Sequence, residues 1–117
     1  MDIDDMEYQG EEIKIGGKTR HIRYAIVGLK LLAQKYGSVV DAFDKMQTMN
    51  LKFDEKTMDD LALLLYAGLV HEDEKLTLAA VENMADIGNM RQAFDKILNS
   101  FKQSTPEPEE AGKKSGE

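Results

Sequence analysis

Residues 13–30 read "IKIGGKTRHIRYAIVGLK". Two short alternating runs flank Gly16-Gly17, and the period then changes. Ile13 and Ile15 alternate with polar neighbours, as do Ile22 and Tyr24, which is the period of a half-buried strand. Two consecutive glycines supply the positive φ angles that a two-residue hairpin turn requires. Strands over Glu12–Ile15 and Lys18–Tyr24 are therefore expected. An isolated hairpin is marginal in water, so it must pack on helices or join another sheet. From Ala25 the spacing is helical: Ile26, Leu29, Leu32, Ala33 and Tyr36 form one stripe, and Gly37 is a natural stop.

Beyond Gly37 the helical pattern continues. Ser38 with Asp41 predicts a capped start for a helix whose inner face is Val39, Val40, Phe43 and Met46. Residues 50–56 break the pattern, with Phe53 as an anchor under the loop. Thr57 with Asp60 repeats the capping spacing ahead of "LALLLYAGLV" (Leu61–Val70), which is apolar over most of its circumference and predicts a central helix. A solvated turn follows at His71–Lys75. Thr77 then predicts the cap of a helix with Leu78, Val81, Met84 and Ala85 inward and Gly88 at its end. A last helix from about Asn89 aligns Met90, Ala93, Phe94, Ile97, Leu98 and Phe101. The residues from Ser104 include two prolines, no large apolar side chain and many charges, the composition of a disordered tail. The expected fold is mainly α: an N-terminal β-hairpin and about five short helices in a compact bundle. The expected division is an acidic mobile arm over residues 1–11, a single domain over 12–103 and the tail over 104–117.

Composition narrows the function classes. At 117 residues the chain is one small domain, long enough to bury a core without staples. Cysteine is absent, which removes disulfides, thiolate metal sites and a thiol nucleophile. No apolar run reaches the roughly 18 residues of a membrane span. The first twelve residues carry six acids and no base, unlike a targeting signal, and the expectation is an intracellular chain without a membrane role. The net charge of -7 opposes attraction to polyanions.

The exception is local. From Lys14 to Lys35 stand Lys14, Lys18, Arg20, Arg23, Lys30 and Lys35, with no acid between them. Lys18, Arg20 and Arg23 are the candidates for a nucleic-acid or regulatory site. Strand alternation places Arg20 with Ile22 and Tyr24 on one face, and His21 with Arg23 on the other. The charges then divide between faces, and they balance the acidic arm better than they build one basic patch. Gly16-Gly17-Lys18 joins two strands and lacks the longer glycine-rich run of a phosphate loop.

Catalytic chemistry finds few candidates. His21 and His71 lie on separate elements, and no acid shares an evident apolar pocket with a partner. "HEDEKLTLAAVE" (His71–Glu82) has oxygen ligands at its ends but not the central glycine of a calcium loop. No catalytic, cofactor or metal residues are assigned, and a non-enzymatic protein is expected. Seven methionines and several apolar stripes on short helices favour protein–protein binding, since Met side chains adapt to varied partners.

The order of these features carries a resemblance. "IKIGGKTRHIRYAIVGLKLLAQKYG" followed by "LALLLYAGLVHEDEKLTLAAVENMAD" resembles the tail assembly chaperones of long-tailed bacteriophages and prophages, over roughly Ile13 to Phe101. The shared features are a glycine-turn hairpin, a basic/apolar strand entering a Leu-rich helix, an apolar helix ending in Ala-Gly-Leu, an acidic turn, then Leu-Thr and an amphipathic helix. The resemblance implies a small helical protein of the bacterial host cytoplasm that coats the tape measure protein and helps recruit tail tube subunits. It further implies absence from the finished virion, and in many members a longer frameshifted form, with which Gly112-Lys113-Lys114 is compatible. No residue-level site transfers from the family. Expected partner-binding positions are Phe94, Leu98 and Phe101 on the last helix and Tyr66 and Leu69 on the central one. Self-association by helix packing or by hairpins meeting edge to edge is the further expectation. The alternatives are a nucleic-acid-associated or regulatory module using the basic hairpin, and a structural tail-completion or connector protein.

Overall fold

The computed structural model describes residues 9–50 and 52–104. Most of the expected arm and all but Ser104 of the expected tail lie outside these residues. The order is β1 (Glu11–Ile15), β2 (Lys18–Ile22), α1 (Ile26–Tyr36), α2 (Val39–Thr48), α3 (Glu55–Leu69), α4 (Leu78–Met84) and α5 (Ile87–Ser104). The strands pair antiparallel, with Ile15 opposite Lys18 and Glu11 opposite Ile22. Gly16 and Gly17 take φ of 65° and 79°, the mirror-image turn whose twist matches the flanking strands. β2 stops at Ile22, two residues short of the sequence expectation, and the Arg23 amide beyond it donates to the Gly68 carbonyl of α3.

α3 is the centre of the molecule. Nine of its residues are buried, from Thr57 to Leu69, and the hairpin, α1, α4 and α5 pack around it. Small residues set how close the layers come. A Cβ on Gly28 would lie 2.0 Å from the Ala67 carbonyl oxygen, so the backbones of α1 and α3 touch there. A Cβ on Gly68 would meet Ile22 at 2.7 Å and Tyr24 at 3.1 Å, which seats the hairpin on the same helix. Tyr24 is buried, and its hydroxyl donates to the Leu64 carbonyl at 2.6 Å. Burial raises the Tyr24 phenol far above its ordinary range, with a smaller contribution from Tyr36. It remains a neutral donor. On α5, Met90, Ala93, Ile97, Ser100 and Phe101 form the buried stripe. The Phe101 ring stacks on Phe43 and meets Tyr24 edge to face, each at 5.3 Å between centroids. One aromatic side chain thereby ties α2, α5 and the segment that follows β2 together.

Helix starts follow side-chain capping, with two corrections to the sequence reading. Ser38 accepts from the Asp41 amide and Thr77 from the Ala80 amide, as expected. α3, however, is capped by Asp54, which accepts from the Thr57 amide. Thr57 lies within the helix, and Asp60 is a buried carboxylate (3% exposed) and no capping partner. Asp60 accepts from the Tyr36 hydroxyl at 2.7 Å and faces Lys45 and Lys56 at 3.6 and 3.7 Å. Burial and the bond to Asp60 raise the Tyr36 phenol. The second correction concerns Gly88. α4 ends at Met84, with Ala85 in extended conformation, and Gly88 falls in the first turn of α5. Asp86 and Asn89 exchange backbone-to-side-chain hydrogen bonds of 2.8 and 2.9 Å, so a reciprocal cap starts α5 where a glycine stop was expected.

Candidate functional site

The basic hairpin is built from three residues with different fates. Arg20 is buried, as its alternation with Ile22 and Tyr24 predicts. Its Nε donates to the Ile15 carbonyl at 3.3 Å, and its guanidinium faces Asp73 at 3.6 Å. The charge is engaged by the turn after α3 and is not presented outward. Arg23 is half-buried on the opposite face and Lys18 is exposed. The structure does not gather Lys18, Arg20 and Arg23 into one exposed surface.

What it does gather is both histidines. The His21 amide donates to Glu72 Oε1 at 2.9 Å, and the His21 Nδ1 lies 2.7 Å from Oε2 of the same carboxylate. His71 Nε2 lies 2.8 Å from the His21 carbonyl and, facing an acceptor, is the donor. Glu12, on β1, stands 3.8 Å from the other nitrogen of the His21 ring. Burial pushes the Glu72 carboxyl up. The hydrogen bonds from the His21 backbone and ring, with the charges of His21 and His71, more than offset it and hold the pKa below its ordinary value. An open cleft of about 280 Å³ runs beside this corner, lined by Lys18, Thr19, Arg20, His21, Glu72 and Asp73. Two acids and two permanent cations line it, and Arg20–Asp73 and His21–Glu72 are pairs within the wall. Among the described residues no group of three or more His, Asp or Glu is placed to hold a metal ion. No described helix is long and apolar enough to cross a membrane.

The meeting of His21 with His71 and Glu72 escaped the sequence reading. Some 50 residues separate them, and the one available signal was that His21 points away from the core face of its strand.

The expected partner-binding residues divide. Leu69 is fully buried and Phe101 is 2% exposed, so neither is an outward apolar position. Leu69 faces the core because it closes the inner side of α3, and Phe101 because its ring fills the space between Phe43 and Tyr24. Tyr66 and Leu98 are half-buried against the main core. Phe94 is half-buried in a satellite cluster with Met49, Phe53, Leu61 and Met90. Phe53 enters that cluster with a positive φ of 58°, an unfavourable conformation for a bulky residue, and Arg91 lies over its ring at 5.3 Å. Among the described residues the exposed large apolar side chains are others: Ile26 (69% exposed), Val27, Val40 (68%, where the inner face of α2 was expected), Met58 and Ile87. All five stand in the first turns of α1, α2, α3 and α5.

No protein-family model matches the chain, nor does any curated protein or solved structure.

Proposed function

We propose that this chain is a non-enzymatic tail assembly chaperone, which binds the tape measure protein and helps recruit tail tube subunits during tail assembly. The observation that carries the reading is the set of exposed apolar side chains at the helix starts: Ile26, Val27, Val40, Met58 and Ile87. Among the described residues these five large apolar groups stand in water on a strongly acidic chain, whose own core is already closed by Leu69, Phe101 and their neighbours. A long partner helix that exposes apolar surface before assembly aggregates unless it is covered. Dispersed apolar contacts suit such coverage, because many copies acting together need little affinity each. The acidic surface keeps the coated complex in solution. The half-buried Tyr66, Phe94 and Leu98 supplement these positions. The order of hairpin, Leu-rich helix, Ala-Gly-Leu helix and amphipathic helix, which resembles that chaperone family, supports the same reading.

Co-expression with a fragment of a tape measure protein tests it. The expected result is co-purification and a larger soluble fraction of the fragment. A fragment that neither co-purifies nor gains solubility overturns the proposal. Recovery of the protein from purified, finished particles would instead favour a structural tail component.

A further inference from the structure

Among the described residues the sheet consists of the two hairpin strands, and such a sheet has two open edges. In this register Ile13 and Ile15 bond across to Arg20 and Lys18, so the peptide groups of Glu12, Lys14, Thr19, His21 and Arg23 point outward. Groups from α5, from α3 and from the turn after α3 occupy several of their amides and carbonyls. On the β1 side, Lys96 donates to the Glu12 carbonyl at 2.6 Å and Asn89 to the Lys14 carbonyl at 3.3 Å, both from α5. On the β2 side, the Gly68 carbonyl takes the Arg23 amide, Glu72 takes the His21 amide, and His71 bonds the His21 carbonyl.

We infer that His71 and Glu72 form a clasp that shuts the outer edge of β2 against strand addition by a second copy of this chain. The occupant follows from the edge itself. Thr19 and His21 are two residues apart and each presents an outward amide and carbonyl. Two such edges brought antiparallel across a two-fold axis are self-complementary, with Thr19 of one copy opposite His21 of the other. Arg20 would meet its own counterpart there, but Asp73 already faces its guanidinium. Only the His21 amide and carbonyl must be freed, and a single turn holds both.

The groups around His21 make the clasp sensitive to acid. They are Glu12 on β1, Lys18 and Arg20 on β2, and His71, Glu72 and Asp73 on the turn. Protonating Glu72 removes the anion that accepts from both the His21 amide and the ring.

The test uses the full chain with Glu72→Ala and, separately, His71→Ala. Backbone hydrogen exchange is read at His21 and Ile22, and mass by light scattering across a concentration series. In Glu72→Ala the His21 amide should exchange at least about tenfold faster than in the parent, as loss of a charge-assisted hydrogen bond demands. The variant should also shift from the parent's mass toward a dimer as concentration rises. His71→Ala should give the weaker form of the same shift, and it serves alone if Glu72→Ala does not fold. An exposed His21 amide without any gain in mass overturns the inference. So does a parent whose His21 protection already rises with concentration, because its edge would then be open to a partner with the clasp intact.

Discussion

Gly28 is where the close approach of two helices rests on a single missing atom. A methyl group there would lie 2.0 Å from the Ala67 carbonyl oxygen, and that oxygen belongs to a buried stretch of α3 that cannot move aside. Alanine would gain helix propensity of up to about 1 kcal/mol, but the overlap of a methyl with backbone dominates. Gly28→Ala should therefore lower the unfolding free energy by about 1–3 kcal/mol, read as a lower urea midpoint at unchanged slope. Glu72 gives a prediction of a different kind. Its pKa in the folded chain lies below the ordinary value, held there by His21 and His71 against the opposing effect of burial. Its contribution is therefore complete above the unfolded-state pKa and is lost as pH falls through the folded-state value. Urea midpoints of the parent and Glu72→Gln should differ at neutral pH and converge in acid. A gap that stays constant with pH would refute this. Neither residue could be singled out from sequence, since Gly28 and Ala67 are 39 positions apart and His21 and Glu72 are 51.

Each element here is short, so its ends matter as much as its face. α4 has seven residues, below the length at which a helix stands alone in water, and Thr77 is its side-chain cap. Thr77→Ala should cost about 1 kcal/mol, visible as a lower urea midpoint and as faster amide exchange at Ala80, whose donor the threonine oxygen accepts. Equal exchange in parent and variant would show the cap to be idle. Element type was legible throughout the described chain, because strand alternation at Ile13 and Ile15 and the helical stripe from Ile26 each have one periodic solution. Element ends were legible only where one residue competes. Asp54 and Thr57 stand three apart, and either can cap; the aspartate prevails, and the hydrogen bond from the Thr57 amide holds its carboxyl below the ordinary range. Gly88 resembled a stop, yet Asp86 and Asn89 form a reciprocal cap around it and turn the same glycine into a first-turn residue. Pattern alone could not place Leu69 and Phe101 indoors. An apolar stripe is equally suited to a core or a partner, and only the tertiary packing decides which.

At the scale of the molecule, the buried residues that close the core and the exposed apolar residues proposed to hold a partner are separate sets. Phe101 touches Phe43 on α2 and Tyr24 behind the hairpin, and α3 lies between the hairpin, α1, α4 and α5, so the layers should unfold as one unit. Phe101→Ala removes the shared ring from a closed core and should cost about 3–5 kcal/mol. Signals from helix and from aromatic packing should still share one midpoint. Ile26 and Val40 are opposite in kind: most of each residue's surface is already in water, so a polar replacement loses little burial. A double variant, Ile26→Ser with Val40→Ser, should keep the circular dichroism spectrum and lie within about 1 kcal/mol of parent stability. It should nevertheless lose most of the parent's ability to keep a tape measure fragment soluble. If solubilisation survives in the double variant and fails in proportion to stability in Phe101→Ala, binding depends on an intact fold and on surfaces other than these helix starts. If the double variant is folded and inactive, the exposed apolar positions are the contact, and their persistence on so acidic a surface has its physical reason.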